Sequence, residues 1–359
     1  MKKLMVSSLA LALIVNILAG CGNSDSAAPS SGTTGNTAET SKPPAQKQVW
    51  KVSLMGSETH PATQGFAIFK EELEKRVGDL VEVQLFPNGQ LGTSPDQTIS
   101  GMQNGIVQFS DIALGNVAEF SKAFVPVDVP YLFLDRDTAF EVMDGEAGKK
   151  MAERYEEDTG VKLLGVFDYG FRVVTNSRRA IAQPADMKGL KIRTLSNPIH
   201  MEAFKAFGAN PTTMAYSELF TGMQQGTIDG QENPVSTIWD AKFYEVQQYL
   251  SLTDHVYGFL GMHMSAELYN QQTDEVKKEV DEAAAIAVEK QREICKQANE
   301  EALQHIRDSG KTEINELTEE QKLQFRQLTE SAKEAAAETA GADYMQMVTD
   351  EVSKLEASK

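Results

Sequence analysis

Two arginines carry the clearest chemistry in this chain. Arg172 heads a β-prone run with Phe171, Val173, Val174 and Thr175, and Arg193 lies in a second run that is entered through Gly189 and ends at Thr194. Flanking strand formers put each guanidinium on or beside a strand rather than in a tail. Two guanidiniums on adjacent strands repel each other unless an anion lies between them. A planar carboxylate suits that position, because the guanidinium fork offers two parallel N–H···O bonds and keeps its charge at any relevant pH. Charged side chains are mostly exposed, so an arbitrary pair of arginines would not carry this reading alone. Chemistry of other kinds finds less support. The sequence has no Gly-x-Ser-x-Gly elbow, no phosphate-cradling glycine loop and no Gly-x-Gly-x-x-Gly. Its five histidines, His60, His200, His255, His263 and His305, include no pair at metal-ligand spacing on one helix face.

The run from Arg172 through Thr175-Asn176-Ser177 and Ala185-Asp186-Met187-Lys188-Gly189-Leu190-Lys191-Ile192-Arg193 resembles the signature of the DctP family, the binding proteins of tripartite ATP-independent (TRAP) transporters. Pro211-Thr212-Thr213-Met214-Ala215-Tyr216-Ser217-Glu218 and Ile228-Asp229-Gly230-Gln231-Glu232-Asn233-Pro234 resemble the next two blocks, and Phe86-Pro87-Asn88-Gly89-Gln90-Leu91-Gly92 fits the first lobe. The similarity runs from about Val49 to the C-terminus. It implies an α/β, two-lobe periplasmic-binding-protein-like (Venus-flytrap) fold with a long helix linking the lobes. The expected division is residues 48–169 plus about 259–298 for lobe I and 170–258 plus about 299–355 for lobe II.

By the same resemblance, Arg193 clamps a ligand carboxylate with Arg172 as its helper, Asn233 bonds that carboxylate, and Tyr216 forms an aromatic wall. A side-chain amide donates to a carboxylate oxygen without adding charge, although Asn233 before Pro234 also suits a plain helix N-cap. Tyr216 equally suits a core ring. His60 and Asn116 hold loop positions at strand ends in the opposite lobe, where ligands of open α/β sheets bind. Some family members that bind large acidic sugars carry a further arginine near Asn116; none stands between Asp111 and Pro130 here, which argues against a sialate-like ligand. Lys188 and Lys191 are expected to be exposed.

The function implied is a receptor that captures a small organic acid (a C4-dicarboxylate, a hexuronate or another sugar acid) and passes it to the membrane subunits of a TRAP permease, with no cofactor. A receptor feeding an ATP-driven importer or a sensor kinase is the nearest competing reading. A secreted enzyme on an anion-binding α/β fold is the other, weakened by the missing nucleophile and metal motifs.

Charge and the chain ends agree. The net charge of −18 leaves no basic stripe for nucleic acid. An acidic protein that holds a carboxylate needs local positive charge to override its overall field. Lys2 and Lys3 precede a short apolar run that ends in Leu18-Ala19-Gly20-Cys21, which resembles a lipobox. Residues 1–20 thus read as a lipoprotein signal peptide and Cys21 as the lipidated first residue. Residues 21–47 form a flexible Ser/Thr/Gly/Pro tether, and the body is extracytoplasmic, held to the membrane by lipid. With Cys21 carrying lipid, Cys295 has no disulfide partner and reads as a small buried residue in a helix.

The elements that must position these groups follow from periodicity. Strands are expected at 49–54, 81–86, 109–114, 161–167, 171–175, 190–193 and 256–264. A helix with Phe66, Phe69, Leu73 and Val77 on one face follows the first strand. Ser94-Pro95-Asp96-Gln97 reads as a capping box, a helix is expected from Pro234 to about Tyr249, and a long amphipathic one over 274–307. Alternating strands and helices imply sheets covered on both faces. Gly101-Met102-Gln103-Asn104-Gly105-Ile106-Val107 is echoed by Gly222-Met223-Gln224-Gln225-Gly226-Thr227-Ile228, as if two related lobes each ended a helix the same way before a strand.

Overall fold

The computed structural model describes residues 47–359, so the expected signal peptide, the Cys21 lipidation site and nearly all of the tether lie outside the described residues. The described chain forms one mixed sheet in the order β2-β1-β3-β8-β4-β7-β5-β6, with β9 paired to β8. The strands are β1 (Gln48–Ser53), β2 (Val81–Phe86), β3 (Phe109–Ser110), β4 (Val161–Asn176), β5 (Lys191–Thr194), β6 (Asn210–Thr213), β7 (Gly230–Pro234), β8 (Tyr249–Ser265) and β9 (Glu313–Glu316).

The order contains two equivalent halves. β1 pairs in parallel with β2 and β3, and β5 pairs in parallel with β6 and β7. β3 then meets β8 antiparallel, as β7 meets β4. The sequence echo falls at matching points. Gly105 and Gly226 take positive φ after the helices Pro95–Gln103 and Leu219–Gln224. In each copy the backbone then folds back on the helix, Ile106 N–H to Gly101 O at 2.8 Å and Thr227 N–H to Gly222 O at 2.9 Å. Each turn feeds a strand that pairs with the centre of its own half, β1 or β5.

β4 and β8, of 16 and 17 residues, pair along their lengths and carry the chain between the halves. The two strands expected at 161–167 and 171–175 are therefore one. The interruption read from sequence is a register shift between Asp168 and Gly170, where Gly170, at φ +95°, pairs with Gly258. A shift of this kind leaves backbone groups without ladder partners, and buried ones must find others. The 36-residue helix Asp274–Ser309 provides them. Gln291 accepts from Asp168 N at 2.8 Å and donates to Asp168 O at 2.9 Å, and Asn299 donates to Tyr169 O at 3.3 Å. The same helix packs on Pro61–Val77 through Val276, Val280, Ala283 and Ala287, around Phe66, Phe69, Trp50 and Phe109. Each such buried aromatic contributes roughly 1.5–3 kcal/mol. Farther along, Asn299 accepts from Ser236 N at 2.9 Å. The long linking helix is thus Asp274–Ser309.

Several element boundaries differ from expectation. The segment after Pro234 is helical only over Val235–Asp240. Lys242 takes φ +57° and ends the helix, and Trp239, Phe243, Val246 and Leu250, although at helical spacing, have different surroundings. Trp239 stacks on Tyr244 and His305 near the surface, whereas Leu250 is fully buried on β8. β3 stops at Ser110 and the chain turns into a tight helical segment, Leu114–Glu119. Ser94 caps its helix by accepting from Gln97 N, but the Gln97 amide oxygen takes Thr93 N rather than the cap itself, so the expected box closes on only one side.

Candidate functional site

β5 brings Arg193 into the floor of a cavity of about 300 Å³. Its neighbours Ile192 and Thr194 are fully buried, and Arg193 itself is 5% exposed. The guanidinium donates from Nε to the Met214 carbonyl at 2.9 Å, and among the described residues no carboxylate lies within ion-pair distance of it. Burial lowers its pKa to about 10, the Arg172 charge adds to the effect and Glu232 opposes it. Arg193 therefore stays cationic at neutral pH. A desolvated charge without a counterion is costly, and an incoming anion removes that cost.

Arg172 corrects the first reading in two ways. β4 and β5 are not adjacent, because β7 lies between them. That strand supplies the intervening anion: Glu232 is fully buried and receives Arg172 through Nε and, at 3.0 Å, Nη2. Arg172 also donates to Glu232 O at 2.6 Å and to Asn233 Oδ1 at 3.2 Å. Its charge is already matched, and it sits behind the cavity wall rather than in it. Burial alone would raise the Glu232 pKa, but Arg172, His200 and His255 together hold it well below the usual carboxylate range.

The other expected residues gather at the cavity. Asn233, Tyr216, His60 and Asn116 all line it. Asn233 is buried, pairs opposite Val173 and accepts from Tyr169 Oη at 3.3 Å; its Nδ2 donates one hydrogen bond to Gln231 Oε1. It lies one residue before the end of β7, and Pro234, the last residue of that strand, caps the following helix, so the simple N-cap role does not apply to Asn233. Tyr216 is half-buried with its ring edge-on to Phe243 at 5.9 Å. His60 caps the helix Pro61–Val77 by accepting from Ala62 N at 3.2 Å, and its Nε2 lies 3.4 Å from Thr237 Oγ1. Burial lowers the His60 pKa, opposed by Asp240, so the ring is neutral at neutral pH. Asn116 is half-buried in the segment after β3. Lys188 and Lys191 are exposed.

Two cavity residues escaped the sequence reading. Tyr169 lies under the site at the β4 register shift, with the Arg172 guanidinium 5.7 Å from its ring centre. Asp111 follows β3 directly, is buried, and accepts from Met55 N at 3.2 Å. Asp111 fell inside the strand expected at 109–114, so the strand-end rule that selected His60 and Asn116 passed over it. Tyr169 carried no signal, since its position depends on the bulge.

The sheet order, the paired halves and a cavity holding an uncompensated cation define a two-lobe solute-binding protein of the periplasmic type. Residues 52–339 match the family described as bacterial extracellular solute-binding protein, family 7 (DctP), and the chain belongs to it as a TRAP solute-binding protein. Among similar proteins, a 2,3-diketo-L-gulonate-binding periplasmic protein of Escherichia coli is 35% identical over 69% of this chain and 75% of its own length. A C4-dicarboxylate-binding periplasmic protein of Rhodobacter capsulatus is 30% identical over 85% and 91%. The crystal structure of a sugar acid binding protein of Advenella mimigardefordensis in complex with galactonate superposes with a TM-score of 0.83, at 31% identity over 86% of this chain and 99% of that one. The chain spans between 62% and 91% of the length of the curated relatives it matches.

Proposed function

We propose that this solute receptor binds a small organic acid through Arg193 and delivers it to the membrane subunits of a TRAP permease. One observation carries the proposal: a buried guanidinium, with no carboxylate partner among the described residues, lines a cavity of about 300 Å³. The acids named for the similar proteins are consistent with it. In this reading the ligand carboxylate takes the two outer nitrogens of Arg193 while Nε stays on Met214 O. Arg172 acts from behind, fixing Glu232 and Asn233 rather than touching the carboxylate. Tyr216 walls the ligand, and His60 and Asn116 contact it from the other half of the sheet. A ligand that bridges both halves favours the closed form because only that form lets it make both sets of contacts. The lobes divide at the Gly170–Gly258 pair, with residues 48–169 plus about 259–298 on one side and 170–258 plus about 299–355 on the other. The receptor works outside the cytoplasm, tethered through lipid on Cys21, and binds its ligand without transforming it.

A thermal-shift series of carboxylic acids against their amides tests this reading. An acid at about 100 times its Kd adds roughly 2.7 kcal/mol of stability, whereas its amide adds none. Equal shifts from acid and amide would remove the carboxylate from the proposal.

A further inference from the structure

The charges lining the cavity are lopsided. Arg193 is the one cationic side chain among the described lining residues, since His60 is held neutral, whereas Asp96, Asp111 and Glu119 all border the same space. Asp111 is the buried one, 3% exposed. It reaches the cavity from the end of β3, and three strands, β8, β4 and β7, lie between β3 and β5 in the sheet. One carboxyl oxygen of Asp111 takes the Met55 N–H at 3.2 Å. Among the described residues no cation lies within ion-pair distance of the carboxyl group, whose other contact is with its own backbone N–H. Burial without a counterion pushes its pKa up to about 7, so near neutral pH the group exchanges between carboxyl and carboxylate.

These facts bear on the part of the ligand that does not touch Arg193. A second ligand carboxylate reaching ionised Asp111 would be desolvated beside like charge with no cation to offset it, and would be held only once Asp111 had taken up a proton. A ligand hydroxyl meets no such penalty. It donates to the carboxylate form and accepts from the protonated form, so it matches Asp111 in either state. We infer that the site selects polyhydroxy monocarboxylates, sugar acids with a single acidic end, over dicarboxylates of the same length, and that Asp111 makes this selection by bonding ligand hydroxyls. The inference rests on the carboxylate-binding role of Arg193 and adds a specificity residue to it. The similar proteins named above divide between sugar acids and a C4-dicarboxylate, so membership of the family leaves the choice open.

Matched acids separate the possibilities by calorimetry on the wild type, on Asp111→Asn and on Arg193→Ala. Gluconate and glucarate differ only in the second acidic end, erythronate and tartrate repeat the comparison on a shorter chain, and hexanoate lacks the hydroxyls. Above about pH 8, where Asp111 is ionised, the wild type should bind the better-fitting monoacid at least about tenfold more tightly than its diacid, the range expected for one bond to a charged group, and should bind hexanoate weakly. Asp111→Asn keeps the shape and a hydrogen bond but loses the charge, so the monoacid-to-diacid ratio should fall toward one. A wild type that binds either diacid as tightly as its monoacid would overturn the inference, as would a ratio unchanged in folded Asp111→Asn. Should the selection appear while Arg193→Ala binds like wild type, the carboxylate role of Arg193 fails and the Asp111 role stands by itself. Binding of none of these acids would sink both.

Discussion

Arg193 and its sequence neighbour Lys191 separate a built site from mere positive charge. Both lie on β5, but Arg193 is buried at the cavity and Lys191 is exposed with its backbone N–H on Asp229 at 2.9 Å. Arg193→Lys keeps the charge and loses the fork, so affinity for an acid should fall between wild type and Arg193→Ala. Lys191→Ala should change it less than about threefold, near 0.7 kcal/mol. Titration of one acid against both variants checks the contrast, and equal losses would reduce the site to a diffuse field effect. Asp111 adds a pH signature. Its folded pKa of about 7 lies above the ordinary 3.8, so the folded state holds the proton more tightly than the unfolded one. The Asp111 contribution to the unfolding free energy then falls as pH rises from about 4 through 7. Asp111→Asn should therefore match wild type near pH 4 and exceed it at pH 8, by on the order of 4 kcal/mol. Urea denaturation at the two pH values measures this, and a variant less stable at pH 8 would contradict it. What sequence reveals at this scale is uneven. Arg193 is legible because strand formers surround it. The pairing of Arg172 is not, because Glu232 belongs to Gly-Gln-Glu-Asn-Pro, a wholly polar and wholly buried strand that no hydrophobic alternation announces.

At the scale of elements, the register shift at Asp168–Gly170 and the long helix fastened to it hold the two halves in relation. A Cβ on Gly170 would sit 2.8 Å from Asn299 Nδ2, at a φ of +95° that L-residues seldom adopt. Gly170→Ala should cost about 1–3 kcal/mol. Gly258→Ala, whose nearest contact would be 3.2 Å and whose φ is not left-handed, should cost less. Denaturation midpoints of the two variants give the comparison; a Gly170→Ala protein as stable as wild type would show that the bulge is not strained in this way. The long helix, β1 and β2 could be read directly, whereas β3 ends four residues before the end of the strand expected at 109–114. β6 and β9 could not: Pro211 interrupts one, and the other is a short edge strand with partly exposed side chains. The false helix after Pro234 arose from apolar residues that share a spacing but serve separate packing sites, with Lys242 in the left-handed region between them.

For the whole molecule, the two-lobe plan was visible in the echo of Gly101–Val107 at Gly222–Ile228, because two equivalent helix ends need the same glycine-stopped turn. The way the halves are joined was not visible, since it depends on which strands pair. The proposed lipid anchor carries its own prediction: Cys21→Ala should shift the protein from the membrane fraction to the soluble fraction or stall its processing, and a variant that fractionates with membranes as wild type does would rule that anchor out. The central claim is that an acidic protein uses one buried, unmatched cation to capture an anion. Its most direct test is isothermal calorimetry of a sugar acid and its parent neutral sugar on wild type and on Arg193→Ala, with folding checked by circular dichroism. Removing one partner of a buried charged pair costs about 2–5 kcal/mol, so Arg193→Ala should weaken the acid by roughly 30- to 5,000-fold. The neutral sugar should bind neither protein measurably. A folded Arg193→Ala protein that binds the acid as wild type does, or a wild type that binds acid and neutral sugar alike, would contradict the account.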